Sequence, residues 1–313
     1  PILSFSQNQT RAQALDIMHQ NLVHFAHFIK TASEGGSQLI IFPEDGLYGA
    51  AFQSRSSVRP YLEPIPPNHL LQSTTVIPCT QFPQNEQSVS VLRSLSCLAR
   101  RYQIIVVANM GDIQPCLDDD DECPSDGHFQ YNTLVVFETN GRLMTKYHKT
   151  NLFYEPEWNA GDGKPVIFTS SSIFSPFDQQ PLQFGLLICF DIMNPQPQQD
   201  FPSHLNQIIL SSWWVNYCPI ITGTQMQQAY SQQANVNLLA SGIGRGYFNS
   251  GSGIYARGNV LATHFNPTFD QYDSILLTAD VPIYRKDQFN RLPNQNNQNY
   301  QNHQNHQNHQ NHQ

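Results

Sequence analysis

The sequence predicts an α/β protein, one domain in which two packed sheets carry helices on the outside. Three observations predict it. Helix and strand patterns alternate twice in the first third of the chain, a hairpin signal interrupts the middle, and short apolar runs of strand length recur as far as residue 283.

The first helix opens at Thr10, with Gln13 three residues later in a capping-box pattern. Leu15, Met18, Leu22, Phe25 and Ile29 then fall at helical spacing until Gly35-Gly36 ends the run. "QLIIF" follows as a buried strand stopped by Pro43. A second amphipathic helix covers about 89–102 through Val91, Leu92, Leu95 and Leu98, and "IIVVAN" at 104–109 is the next strand. Asn140-Gly141 between two β-rich runs marks a hairpin. "PVIFT", "LQFGLLIC" and "NQIILSSW" read as strands, and "QMQQAYSQQANVNLLAS" as a helix leading into one. The last two strand expectations are "GSGIYARGNVLATHF" and "YDSILLTADVPI".

A length of 313 residues with 39% hydrophobic content suffices for a sizeable core. The net charge is −8, of which the run Asp118–Glu122 supplies five charges and everything else only −3, so no nucleic-acid partner is indicated. No apolar stretch approaches the length of a membrane span, and no C-terminal lipid-anchor signal is present. The chain reads as soluble. Because it opens on Pro1, it also reads as processed or incomplete.

Of the six cysteines, Cys79, Cys97, Cys116 and Cys123 lie in or beside Pro-, Gln- and Asp-rich sequence. Four cysteines allow three connectivities and sequence alone does not choose among them. The adjacent pairing, Cys79 with Cys97 and Cys116 with Cys123, is preferred because each pair flanks one irregular segment. Disulfides place the chain outside the cytosol, and the sequon Asn8-Gln9-Thr10 gives Asn8 as a glycosylation site in agreement with that. The expected division is a folded domain over 1–285 and a tail over 286–313, whose Gln-Asn-His repeat buries too little apolar surface to fold alone. His303, His306, His309 and His312 would share one face of an extended helix of three residues per turn, but the simpler reading is an expanded repeat, and no metal is assigned there. The acidic run 118–122 lacks the glycine and spaced ligands of an EF-hand and reads as a solvated loop.

Three chemical groups stand just after apolar runs: Glu44 in "IIFPEDGLYG", Lys149 in "KYHKTNLF" and Cys189 in "LLICFDI". Strand ends are where α/β proteins gather catalytic groups. Each group alone is commonplace, since a cysteine there is usually a small buried hydrophobe and the two charges are usually solvated. As a set they are what amide hydrolysis by a thiol needs. A thiolate attacks, an ammonium lowers its pKa and faces the oxyanion, and a carboxyl moves protons. Strand alternation sends His148 to the face opposite Lys149, which argues against a Cys-His pair. Trp213 and Trp214 read as packing residues.

The order Glu, Lys, Cys within "FPEDGLYG", "YHKTNLF" and "CFDI" resembles the nitrilase (carbon–nitrogen hydrolase) superfamily. "SLSC", "GHFQYNTLVVF", "NLLAS" and "GSGIY", with the four loop cysteines, are most similar to its secreted biotinidase and vanin (pantetheinase) branch, over about residues 10–285. The resemblance implies a four-layer α-β-β-α sandwich and a hydrolase of linear amides that forms a thioester. It implies Cys189 as nucleophile, Glu44 as general base and acid, Lys149 as oxyanion stabiliser and the Phe190 N–H as the second oxyanion donor. Glu155 best matches the family's second glutamate, with Glu157 its rival. No metal or organic cofactor is implied, and the partner is a small amide, pantetheine first and biocytin-like biotin amides second. A homodimer is left open, as is what the tail contacts. Relatives begin with a strand before the first helix and carry an extra C-terminal domain, whereas this sequence enters with "PILSFSQ" and ends in the repeat. Cys218 reads as a free, partly buried thiol. The reading from another class is a catalytically silent binding or structural protein on the same scaffold.

Overall fold

The computed structural model describes residues 9–50, 52–117, 120–217, 222–246, 248–268 and 273–284. Asn8, Asp118, Asp119, Cys218 and the whole of the expected tail lie outside the described residues.

Helix α1 (Arg11–Glu34) starts on the capping box that Thr10 and Gln13 form and stops at Gly35. It leads into β1 (Leu39–Ile41). Helix α2 (Ser90–Tyr102) leads into β2 (Ile105–Pro115), which continues six residues past the expected end. The hairpin on Asn140-Gly141 joins β3 (His128–Phe137) to β4 (Leu143–His148). Apart from short helical turns, there follow β5 (Ile167–Phe174), β6 (Pro181–Ile188), β7 (Gln207–Ser212), helix α3 (Gly223–Ala234), β8 (Asn237–Gly242), β9 (Ser252–Ala256) and β10 (Asn259–His264).

Two sheets result, in the orders β1-β2-β3-β4 and β10-β9-β8-β7-β6-β5. The pairs β1/β2, β6/β7 and β7/β8 are parallel and the rest antiparallel. Alternation along β2 and β3 builds the layers, because successive side chains face opposite sides of a sheet. Val106, Ala108, Met110, Val135 and Phe137 pack against Met18, Leu22, Ile29, Leu92 and Leu95 of α1 and α2. Ile105, Val107, Leu134 and Val136 turn the other way and join Leu186, Ile188, Ile208 and Leu210 of the second sheet. Met226 and Tyr230 of α3 pack on the outside of that sheet. The architecture is the α-β-β-α sandwich the sequence reading expects.

Two disulfides join Cys79 to Cys97 and Cys116 to Cys123. Cys97 sits within α2 rather than in a loop, and its bond ties that helix to the short helix Pro78–Gln81. The second closes the connection between β2 and β3, where Arg55 also grips Asp126 through two hydrogen bonds.

The strand expected over "YDSILLTADVPI" does not form in the described part, Asp273–Tyr284. Leu276 packs against the first core and Ile283 against the second, so the apolar pattern is used. Alternating apolar residues specify side-chain burial; a strand also needs a neighbouring backbone to pair with along its length, and this segment's main chain joins its surroundings at Asp273 to Gly244 and at Pro282 to Asn237.

Candidate active site

Glu44, Lys149 and Cys189 each follow the C-terminal end of a strand: β1, β4 and β6. Beyond β1, Phe42 still bonds to Val107 of β2, and Pro43 then forces a turn. Asp45 adopts a left-handed conformation at φ 54° and its N–H donates to Asn109 Oδ1 at 2.9 Å, which fixes the turn that presents Glu44. Lys149 prolongs the β3/β4 ladder by one residue, its N–H donating to the Asn132 carbonyl at 2.9 Å. Cys189 takes φ 44°, a region costly for a side-chain-bearing residue, and so breaks β6 into the short helical turn Cys189–Met193.

That turn is held by Asp191. Its Oδ2 accepts from the Ile188 N–H at 3.0 Å and the Tyr147 hydroxyl at 2.7 Å, and its Oδ1 from the Asn151 N–H at 2.8 Å and Nδ2 at 2.9 Å. One carboxyl thus ties the cysteine turn to the end of β4 and to the loop after Lys149. Burial pushes Asp191 above its ordinary pKa while its donors pull it down.

The carboxyl of Glu44 accepts three hydrogen bonds: Lys149 Nζ at 2.7 Å and Asn132 Nδ2 at 2.8 Å on Oε1, and the Trp213 N–H at 2.6 Å on Oε2. Lys149 Nζ also donates to Glu155 Oε2 at 2.6 Å, and Glu155 is further fixed by the Phe153 N–H at 2.9 Å and Asn132 Nδ2 at 3.3 Å. Asn132 is oriented in turn by Asn109, whose Nδ2 donates to its Oδ1 at 2.6 Å. The Cys189 thiol donates to the Trp213 carbonyl at 3.5 Å, so the peptide units around one tryptophan connect the sulfur to Glu44. Glu44, Lys149 and Cys189 are 1%, 2% and 6% exposed, which removes most solvent screening from their interactions.

Burial alone would lower the Lys149 pKa, but Glu44, Cys189 and Glu155 together raise it well above the ordinary lysine value, so this ammonium stays charged. The thiol differs from the sequence expectation. Burial and the Glu44 charge push Cys189 well above the ordinary thiol range, and Lys149, which does act to lower it, is outweighed. At neutral pH the resting group is a thiol that needs a base to remove its proton.

The structure therefore brings Glu44, Lys149 and Glu155 into direct contact and sets Cys189 within their field. Lys149 Nζ takes Glu155 and not its rival Glu157 as partner; the Glu157 main-chain carbonyl accepts from Gln130 Nε2 at 2.7 Å. Burial, with help from Glu155, lifts its carboxyl to about 7. The Phe190 ring lies 5.1 Å from Phe153, and its N–H belongs to the residue after Cys189 in the same turn. His148 faces away from Lys149, its Nε2 bonded to Asp112 Oδ2 at 2.8 Å. Sequence reasoning missed Asn109, Asn132, Asp191 and the Trp213 main chain. A signal existed for the asparagines, since each interrupts an apolar strand ("VVANM", "YNTLVV") where a buried amide must find partners. Main-chain donors carry no such mark.

Comparison with known proteins agrees with this architecture. Residues 7–213 match the model of the carbon-nitrogen hydrolase family. The chain belongs to that family. It is 37% identical over 262 residues to the pantetheine hydrolase VNN2 of Homo sapiens, covering 82% of this chain and 47% of that protein. It is 37% identical over 284 residues to the biotinidase of Takifugu rubripes, covering 88% and 53%. With the pantetheinase of Canis lupus familiaris the identity is 39% over 260 residues, covering 81% and 48%. The chain thus spans about half the length of these relatives. Among solved structures, a mutant of the amidase from Nesterenkonia sp. AN1 superposes with a TM-score of 0.60 at 16% identity, over 96% of this chain and 97% of that one, a likeness of fold.

Proposed function

We propose that the chain is the hydrolase unit of a secreted enzyme that cleaves a linear secondary amide through a Cys189 thioester, with pantetheine as substrate and pantothenate and cysteamine as products. The observation that carries the reading is the buried contact of Lys149 Nζ with both Glu44 Oε1 at 2.7 Å and Glu155 Oε2 at 2.6 Å, beside a buried thiol. A scaffold with no chemistry to perform has no physical reason to desolvate two carboxyls, an ammonium and a thiol together.

In this mechanism the Cys189 sulfur attacks the amide carbonyl as its proton passes to Glu44. The tetrahedral oxyanion is held by Lys149 and the Phe190 N–H, a contribution worth about 3–4 kcal/mol per well-placed donor. Glu44 then protonates the departing amine, the thioester remains, and water deprotonated by Glu44 releases the acid. Glu155 and Asn132 hold Lys149 and Glu44 in place. Residues 1–285 form the catalytic domain and 286–313 an appendage. The two disulfides support an extracellular location, because such bonds persist in oxidising compartments.

The biotinidase relative favours a second substrate, a biotin amide such as biocytin. Incubation of the chain with pantetheine and with biocytin, following release of cysteamine and of lysine, separates the two. Cys189→Ala abolishes turnover, whereas Cys218→Ala leaves most of it. No turnover of either amide would favour a silent binding or structural protein; loss through Cys218 alone would mean that the other thiol reacts.

A further inference from the structure

A buried hydroxyl stands beside the nucleophile with no role in the mechanism above. Ser212 ends β7, whose parallel ladder with β6 pairs Ser211 with Ile188, so Ser212 stands one step beyond that pair on β7 as Cys189 does just past the end of β6. Ser212 is fully buried. Its main chain is fixed, the carbonyl accepting from the Ile243 N–H at 3.2 Å. Its next neighbour, Trp213, is bonded to both Glu44 and Cys189. Among the described residues the Ser212 hydroxyl makes no hydrogen bond of good geometry, although it lies near enough to the Cys189 sulfur to act on it.

An unpartnered buried hydroxyl is destabilising, so a fold that keeps one recovers the cost elsewhere. The recovery is at the sulfur. A hydrogen bond from Ser212 to Cys189 favours the ionised form, the same direction in which Lys149 acts and opposite to burial, Glu44 and Glu155. Asp191, in the turn of Cys189 itself, is engaged by Ile188, Tyr147 and Asn151. The neutral thiol points its own proton at the Trp213 carbonyl, so a donor from another direction gains its acceptor only when that proton leaves.

From this placement we infer that Ser212 is the hydrogen-bond donor reserved for the Cys189 thiolate, holding the sulfur as it loses its proton and as the thioester later expels it. The inference concerns the same site as the proposed hydrolysis, but its test does not need turnover. Alkylation of Cys189 by iodoacetamide is followed by mass spectrometry of the Cys189 peptide from neutral to alkaline pH. Ser212→Val lowers the rate at fixed pH by on the order of tenfold and moves the profile to higher pH, whereas the isosteric Ser212→Thr, which keeps the hydroxyl, stays near the parent. Where the parent turns over an amide, Ser212→Val lowers kcat with little change in KM. Equal profiles for the valine and threonine variants, both folded by thermal melting, would overturn the inference. A shifted profile in a chain that cleaves neither amide would keep the inference and discard the hydrolase reading.

Discussion

Replacing Asp191 by asparagine keeps the shape of the side chain and removes an acceptor on which the turn at Cys189 depends. Each carboxyl oxygen accepts from two donors: Ile188 N–H and Tyr147 hydroxyl on one, Asn151 N–H and Nδ2 on the other. An amide nitrogen cannot accept, so whichever oxygen it replaces, two donors lose their partner and meet N–H groups instead. A buried donor left unpaired costs about 1–3 kcal/mol, giving about 2–6 kcal/mol for the two. Removing a charge that burial disfavours returns part of that, and the net loss is about 1–4 kcal/mol. Because Asp191 is the tie between Cys189 and the segment after Lys149, kcat should fall by about ten- to a hundredfold, the scale of an ångström's misplacement. Guanidinium unfolding gives the first quantity and amide turnover the second, with Asp200→Asn on the exposed surface as control. An Asp191→Asn variant within about 0.5 kcal/mol of the parent and fully active would refute the reasoning.

Asn132→Ala removes a donor from Glu44 and leaves Asn109 Nδ2 without its acceptor; activity should fall by about tenfold or more, with a stability loss of about 1–3 kcal/mol read from the denaturant midpoint. Glu157 titrates at about 7 in the fold against 4.5 ordinarily, so the folded chain holds the extra proton between those values. Its contribution to stability therefore falls as pH rises from 4.5 and the loss is complete above 7. Glu157→Gln should flatten this slope and raise stability at alkaline pH by up to about 3 kcal/mol, and melting curves across that range that match the parent's would count against it. Peptide mapping without reductant should recover Cys79 with Cys97 and Cys116 with Cys123, and free thiols at all four positions would remove the support for an extracellular site.

What could be read from sequence was whatever depends on side-chain pattern. The capping box of α1, the helix 90–102 and the hairpin on Asn140-Gly141 follow from periodicity and turn chemistry, and the three strand-end groups follow from where apolar runs stop. What could not be read depends on the third dimension. The segment 273–284 has a strand's apolar alternation but forms no strand, its main chain bonding at Asp273 to the Gly244 main chain and at Pro282 to the Asn237 side chain. The acidity of Cys189 was misjudged because the nearby ammonium was legible and the depth of burial was not. Trp213 contributes through its peptide units, and Ser212 through a register between two strands, neither of which a single-residue signal reveals.

The most direct measurement is to quench the chain with acid during turnover of pantetheine and map the acylated peptide by mass spectrometry. Meeting of the thiol, carboxyl and ammonium in one site predicts a pantothenoyl group on the peptide carrying Cys189, absent from Cys189→Ala. Sustained hydrolysis with no acyl group on Cys189, or with the group on another residue, would contradict it.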